Sequence, residues 1–178
     1  SLHCVLPISL TPMTVPSTTL IAPFLAAKIE TPAGPLLVVN LHPPPPLSPE
    51  MASIRDREVD RAAALIQDLQ RRHPNVPILA AGDFNTTPWS PVFRDFVSET
   101  GLALVTPAPW WSASWTAPFL PIFAIPIDHA LLSQDPAVSV QSLQHFPYRG
   151  SDHRPLDLRL RLRADQSAPH EPPRPRRP

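Results

Sequence analysis

The chain has 178 residues, 15 Lys+Arg against 15 Asp+Glu, and no formal net charge. A single domain's length with 43% hydrophobic residues supports a core, which excludes disorder throughout, and only 4 glycines exclude collagen. The charge balance excludes the global basic footprint of a polyanion binder, and 28 prolines dictate many turns and short elements, because proline fits neither helix interiors nor central strands.

Residues 1–20 are Thr/Pro/Ser-rich and show no period. Phe24 to Glu30 reads as a strand and Thr31 to Gly34 as a turn. Leu36 to Leu41 is a short apolar, partly β-branched run, read as a buried strand. It ends at His42, and Pro43 to Pro46 then dictate an extended loop. Ser48 followed by Pro49 is an N-cap with proline at the first helical position. The spacing of Met51, Ile54, Ala62, Leu65, Ile66 and Leu69 predicts a helix to about Arg72, with Arg55, Asp56, Asp60, Arg61 and Asp68 as its solvated surface.

Val76 to Ala81 is the next strand, delivering Gly82-Asp83-Phe84-Asn85 at its end. A second helix starts at Pro88 or Pro91, capped by Thr87 or Ser90. Its apolar stripe is Trp89, Val92, Phe93, Phe96 and Val97, and Gly101 stops it. Residues 106–126, rich in Pro and Trp, read as a long ordered loop. Ile127 to Leu132 and Val138 to Phe146 read as strands. Leu156, Leu158, Leu160 and Leu162 alternate with Asp157, Arg159, Arg161 and Arg163, a strand with one buried face. From Ala164 the tail is polar and Pro/Arg-rich, and is expected to be disordered. Strands alternating with helices predict a layered α/β fold with antiparallel pairs late in the chain.

The single Cys4 excludes an intrachain disulfide and reads as a buried, inert thiol. No stretch reaches the roughly 18 unbroken apolar residues of a membrane-spanning helix. Residues 1–27 lack a positive first segment and carry prolines, so they make a poor signal peptide. A cytoplasmic or membrane-peripheral location is the expectation, with the oligomeric state open.

Four strand ends deliver polar residues: Asn40/His42, Asp83/Asn85, Asp128/His129 and Asp152/His153. Residues two apart share a face, so Asn40 with His42, and Asp83 with Asn85, can look into one cleft. Of the adjacent Asp128 and His129 only one should face it. Asp152 and His153 could both reach it only where Ser151 to Pro155 leaves regular strand. Taken singly, Asp83 and Asn85 also read as turn chemistry, His42 as a strand-end histidine and Asp152 as a loop carboxylate. His3, His73, His145 and His170 are assigned to surface or core. There is no G-x-x-x-x-G-K, G-x-G-x-x-G or G-x-S-x-G. Ser151 beside His153 lacks the strand-to-helix elbow of a serine hydrolase. What remains is equipment for attack on phosphorus. Asp83 can hold or deprotonate a water, Asn85 and His42 can donate to a phosphate, Asp152 suits Mg²⁺ or Mn²⁺, and a His153–Asp128 pair gives a base of fixed tautomer.

Val39-Asn40-Leu41-His42, Gly82-Asp83-Phe84-Asn85, Ile127-Asp128-His129 and Gly150-Ser151-Asp152-His153-Arg154-Pro155, in this order, resemble the endonuclease/exonuclease/phosphatase superfamily, over roughly residues 22–163. The Ile-Pro-Ile-Asp-His stretch after a Trp/Pro loop is similar to uncharacterised bacterial members. The resemblance implies a four-layer α/β sandwich of the deoxyribonuclease I type, with the active site at the top edge of two central sheets. It implies that His42 contacts the scissile phosphate, Asp83 orients the attacking water and Asn85 the phosphate. Asn40 joins His42 and Asn85 on the substrate. Asp128 holds His153, and Asp152 helps bind Mg²⁺ or Mn²⁺. His129 departs from many members at a position without a catalytic role. The early Asn and the Leu-Gln-Glu metal ligand of the first half of the family are absent. The expected organisation is therefore a poorly matched segment 1–20, a partial domain 21–163 lacking its N-terminal part, and a tail 164–178.

The function expected is metal-dependent hydrolysis of a phosphoester, with nucleic acid, lipid and sugar phosphate all open as substrates. The alternatives are a catalytically inactive remnant of the same fold and an interaction module built on Pro43–Pro46 and Pro169–Pro178. Trp110, Trp111 and Trp115 are read as core packing under their loop or as stacking platforms for a base.

Overall fold

The apolar runs become strands because each can bury one or both faces only in a sheet. The computed structural model describes residues 9–13, 24–106, 113–117, 124–146 and 149–163. In chain order these form β1 (Ser9–Met13), β2 (Leu25–Thr31), β3 (Gly34–Leu41), α1 (Pro49–Arg72), β4 (Ile78–Asp83), α2 (Pro91–Thr100), β5 (Ala103–Leu104), β6 (Trp115–Thr116), β7 (Ala124–Ile125), β8 (Asp128–Leu132), β9 (Val138–His145) and β10 (Leu156–Leu162). Six strands make one sheet in the order β1-β2-β3-β4-β8-β5, while β9–β10 and β6–β7 are separate antiparallel pairs. Only β3 and β4 run parallel in the large sheet, since α1 carries the chain back between them.

Both helices cover one face. Leu37, Val39 and Leu41 of β3 and Ile78 and Ala80 of β4 share a core with Val59, Ala62, Ala63, Ile66 and Leu69 of α1 and Phe93 and Phe96 of α2. The opposite face carries Leu36, Val38 and Asn40, then Leu79, Ala81 and Asp83, then Asp128, Ala130 and Leu132 by register. It is incompletely covered: Ile29, Val38 and Leu79 are half-buried and Leu25 is exposed. This is the expected mixed α/β architecture with one helical layer among the described residues.

Local chemistry sets the boundaries. Ser48 Oγ accepts the Met51 amide at 3.2 Å, as a capping serine before Pro49 should. β4 begins two residues after Val76 because Pro77 has no amide to give, although its carbonyl already accepts from Leu37 at 2.9 Å. α2 starts at Pro91 rather than Pro88, with Ser90 at the N-cap position but no side-chain hydrogen bond, and Gly101 ends it in the left-handed region at φ 64°. Trp89 lies before this helix and is exposed, so it is not part of the buried stripe. β1 emerges from the region without a readable period, through register with β2. Within the segment read as one long loop, β6 and β7 pair. Cys4, Trp110, Trp111 and the tail 164–178 lie outside the described residues.

Gly82 sits at φ 145°, where a Cβ would run into the Leu41 carbonyl across the parallel β3–β4 pair. Glycine alone therefore permits the strand contact that presents Asp83. Gly82→Ala should lower stability by about 2–4 kcal/mol, read as a reduced urea midpoint with an unchanged slope.

Candidate active site

Asp83 and Asp128 stand directly opposite one another at the matching ends of β4 and β8. Their placement follows from strand alternation. Gly82 and His129 point to the helical face, so Asp83 and Asp128 point away from it. His42, at the exit of β3, brings Nε2 to 3.7 Å from Asp83 Oδ2. His153 reaches across from the segment before β10. Its Nδ1 lies 3.0 Å from Asp128 Oδ2, and its Nε2 lies 3.8 Å from Asp83 Oδ2. An ionised Asp128 has only acceptors, so Nδ1 carries the proton and Nε2 is left facing Asp83 and the cavity. These residues line an open cavity of about 340 Å³ together with Ser151, Arg154, Pro155 and Leu156.

Asn85 is positioned by the backbone. It takes φ 48°, a left-handed conformation that Asn tolerates better than most residues. Its amide donates to Asp83 Oδ1 at 2.8 Å, and its Nδ2 donates to Pro43 O at 2.8 Å and to Asp83 Oδ2 at 3.2 Å. The polyproline loop thus has a definite partner. Arg55 completes this side. Read from sequence as solvated surface, it instead sends Nη1 to the Asn85 carbonyl at 2.8 Å, with a largely shielded side chain. Asn40 lies on the same face but is exposed, with its Nδ2 on Ala81 O at 3.1 Å.

Burial pushes the Asp83 carboxyl above the usual aspartate range. The Asn85 amide opposes this, the facing Asp128 adds to it, and His153 and His42 relieve it. Asp83, Asp128 and His153 offer ligand atoms all within 4.8 Å of one another. Two carboxylates and an imidazole suit a divalent cation that keeps several waters. Asp152 is not in this group. It is exposed, its Oδ2 accepts the Trp115 indole N–H at 2.8 Å, and that bond holds its carboxyl below the ordinary range. Of the pair Asp152/His153, then, only His153 enters the cavity.

Sequence reasoning missed Arg55 and Ser114 here, and read Trp115 as core packing or a base-stacking platform, not as the donor that holds Asp152. No local pattern marks them: Arg55 lies on a charged helical surface, and Ser114-Trp115 sits in a stretch without a period.

His129 and Phe84 anchor the site from below. Phe84 is fully buried, with ring centroids 5.6 Å from Phe93 and 5.4 Å from Phe96. The His129 ring packs tilted against Phe93 with centroids 4.5 Å apart, and its Nε2 lies 2.8 Å from the Thr86 carbonyl, so that nitrogen donates. Desolvation lowers its pKa from 6.5 to about 4, partly offset by that hydrogen bond and by Asp128.

The family model described as Endonuclease/Exonuclease/phosphatase family matches residues 7–153. A search of curated proteins finds no match. Solved structures share the fold. The human Nocturnin catalytic domain with bound sulfate anion superposes with TM-score 0.62 at 18% identity, over 88% of this chain and 58% of that one. The Bacteroides thetaiotaomicron mannosyl-6-phosphatase gives 0.55 at 19% identity, over 77% of this chain and 55% of the other. A 3'-5' exonuclease from Neisseria meningitidis gives 0.55 at 17% identity, over 77% and 65%. The chain thus spans between half and two thirds of the length of these structures.

The depressed pKa of His129 fixes a sign. The unfolded chain binds a proton below about pH 6.5 that the folded chain refuses until about pH 4. The neutral ring's contribution is therefore complete above pH 6.5 and is lost as pH falls toward 4. Over that window wild type should lose about 3 kcal/mol relative to His129→Gln, measured by urea unfolding at stepped pH.

Proposed function

The chain belongs to the Endonuclease/Exonuclease/phosphatase family, and from that premise we propose that it hydrolyses a phosphoester with a bound Mg²⁺ or Mn²⁺ and an activated water. The observation that carries the reading is the convergence of His42, Asp83, Asp128 and His153 on one open cavity.

Asp83 holds the water. Its desolvated carboxylate is a stronger proton acceptor than an exposed one, and its shape is fixed by two donors from Asn85. His153, held through Nδ1 by Asp128, presents Nε2 to the same cavity as a proton carrier or phosphate contact. His42 donates to a phosphoryl oxygen from the other side of Asp83. Asn85 fixes Asp83 first and reaches substrate only if its Nδ2 leaves Pro43. Asp83 and Asp128 would hold the cation, with His153 Nε2 joining them only when it carries no proton and contacts no phosphate, and Asp152 would join only by giving up Trp115. When bound, the cation polarises a phosphoryl oxygen and offsets the charge that develops on the leaving group.

A second reading, a remnant that keeps the fold without activity, draws on the partial coverage of the structural neighbours and on the half-exposed sheet face. Phosphatase and exonuclease neighbours support the phosphoester class and leave the substrate open.

One assay separates the two readings. The chain is incubated with bis(p-nitrophenyl) phosphate, p-nitrophenyl phosphate and plasmid DNA, each with Mg²⁺, Mn²⁺ or chelator. Hydrolysis should require the metal and should fall about 100-fold or more in Asp83→Asn and in His153→Ala. No turnover from folded wild type favours the remnant. In parallel, Mn²⁺ binding followed by electron paramagnetic resonance should be lost in Asp128→Asn and kept in Asp152→Asn.

A further inference from the structure

Ser114 is a fully buried polar side chain in a stretch that contributes no residue to the cavity. Its Oγ accepts two backbone amides, from Ile127 and from Asp128, each at 2.9 Å. Both lone pairs of the hydroxyl are thereby used at the entry to β8, where Asp128 is delivered. The backbone of Ser114 does a second job. Its carbonyl accepts the Arg154 amide at 2.7 Å, one residue beyond His153. The neighbouring β6 residues extend this link. Trp115 bridges to His153, and the Thr116 amide donates to Asp152 O at 3.0 Å. The Trp115 indole fixes the Asp152 carboxylate at 2.8 Å. One short segment therefore grips both the strand that carries Asp128 and the segment that carries His153.

The requirement it meets is geometric. Asp128 and His153 are 25 residues apart and meet at 3.0 Å. Asp128 lies in β8 of the large sheet and His153 in the segment before β10, so no strand ladder pairs the two residues. We propose that Ser114 is the positioning residue of the Asp128–His153 pair: its hydroxyl sets the backbone under Asp128 while its carbonyl sets the backbone beside His153, and together they hold the imidazole with Nδ1–H on Asp128 and Nε2 turned to the cavity. Trp115 supports the same arrangement by keeping Asp152 turned outward, so that the aspartate beside His153 does not compete for the imidazole. The kinetic consequence rests on the hydrolase reading above; the positioning itself does not.

The test uses the chain with ¹⁵N-labelled histidine, at pH 8 in chelator, with His153 assigned by His153→Gln. In wild type the ring nitrogen shifts of His153 should report the Nδ1–H tautomer as the major form. Ser114→Ala removes the acceptor from two buried amides, and the tautomer preference of His153 should collapse toward the Nε2–H form of free histidine. Ser114→Thr restores the hydroxyl and should restore the wild-type pattern. Ser114→Cys fills the same volume with a poor acceptor and carries the test should the alanine variant unfold, as judged by circular dichroism. An unchanged His153 tautomer in a folded alanine or cysteine variant overturns the proposal. So does failure of Ser114→Thr to restore it. With a phosphodiester and Mn²⁺, Ser114→Ala should lower kcat about 10-fold or more with little change in KM, again restored by threonine. If wild type shows no turnover, the hydrolase reading fails while the nitrogen shifts still decide the positioning.

Discussion

Two aspartates face each other across an antiparallel strand pair, an arrangement that is destabilising unless something answers the repulsion. Much of the surrounding structure is that answer. Asp83 receives two donors from Asn85 and the approach of His42 and His153, while Asp128 receives Nδ1 of His153. Burial holds the Asp83 carboxyl above the usual aspartate range, and the facing Asp128 adds to this. A cation or a protonated imidazole entering between the two carboxylates would relieve the same repulsion. The chemistry proposed for the site and the electrostatics of the strand ends are thus one problem.

The pair is presented by an anchor on the opposite side of the sheet. In Gly82-Asp83-Phe84-Asn85 the chain must turn out of β4 without losing its register. Gly82 permits the close approach to Leu41, Phe84 drops into the core between Phe93 and Phe96, and Asn85 accepts a left-handed backbone. Burying a phenylalanine contributes about 1.5–3 kcal/mol, and that apolar anchor helps to hold the polar residues beside it in place. His129 adds a hydrogen bond to Thr86 from within that core, and its neutral ring fits there because desolvation disfavours the charged form. The position without a catalytic role expected from the resemblance is therefore a structural one.

Most elements were legible because their signals are local. α1 followed from Ser48-Pro49 and an apolar face, although that face also holds Val59 and Ala63, and Met51 and Ile54 are only half-buried. β3, β4 and β8 followed from short apolar runs, and β10 from its alternation, although its leucines are half-buried rather than covered. β1 and the β6–β7 pair were not legible, since two to five residues without a period show no preference until a partner supplies the register. The same division runs through the site. Strand alternation put Asp83 with Asn85 toward one cleft and required that only one of Asp128 and His129 face it; the structure chose Asp128. Alternation could not show that Arg55 reaches the Asn85 carbonyl, or that Asp152 turns away to Trp115.

The sequence by itself determined the secondary structure with strong periods, the four ordered motifs and the kind of chemistry those side chains can perform. These are properties of neighbouring residues and of side-chain functional groups, and they do not change with the path of the chain. Tertiary structure alone decided that Asp152 turns to Trp115, which loop carbonyl is held, and that a buried serine links the two halves of the Asp128–His153 pair already readable as a candidate. Those contacts join residues 13 to 42 positions apart, and hydrogen bonds at about 3 Å depend on backbone placement that no local pattern encodes.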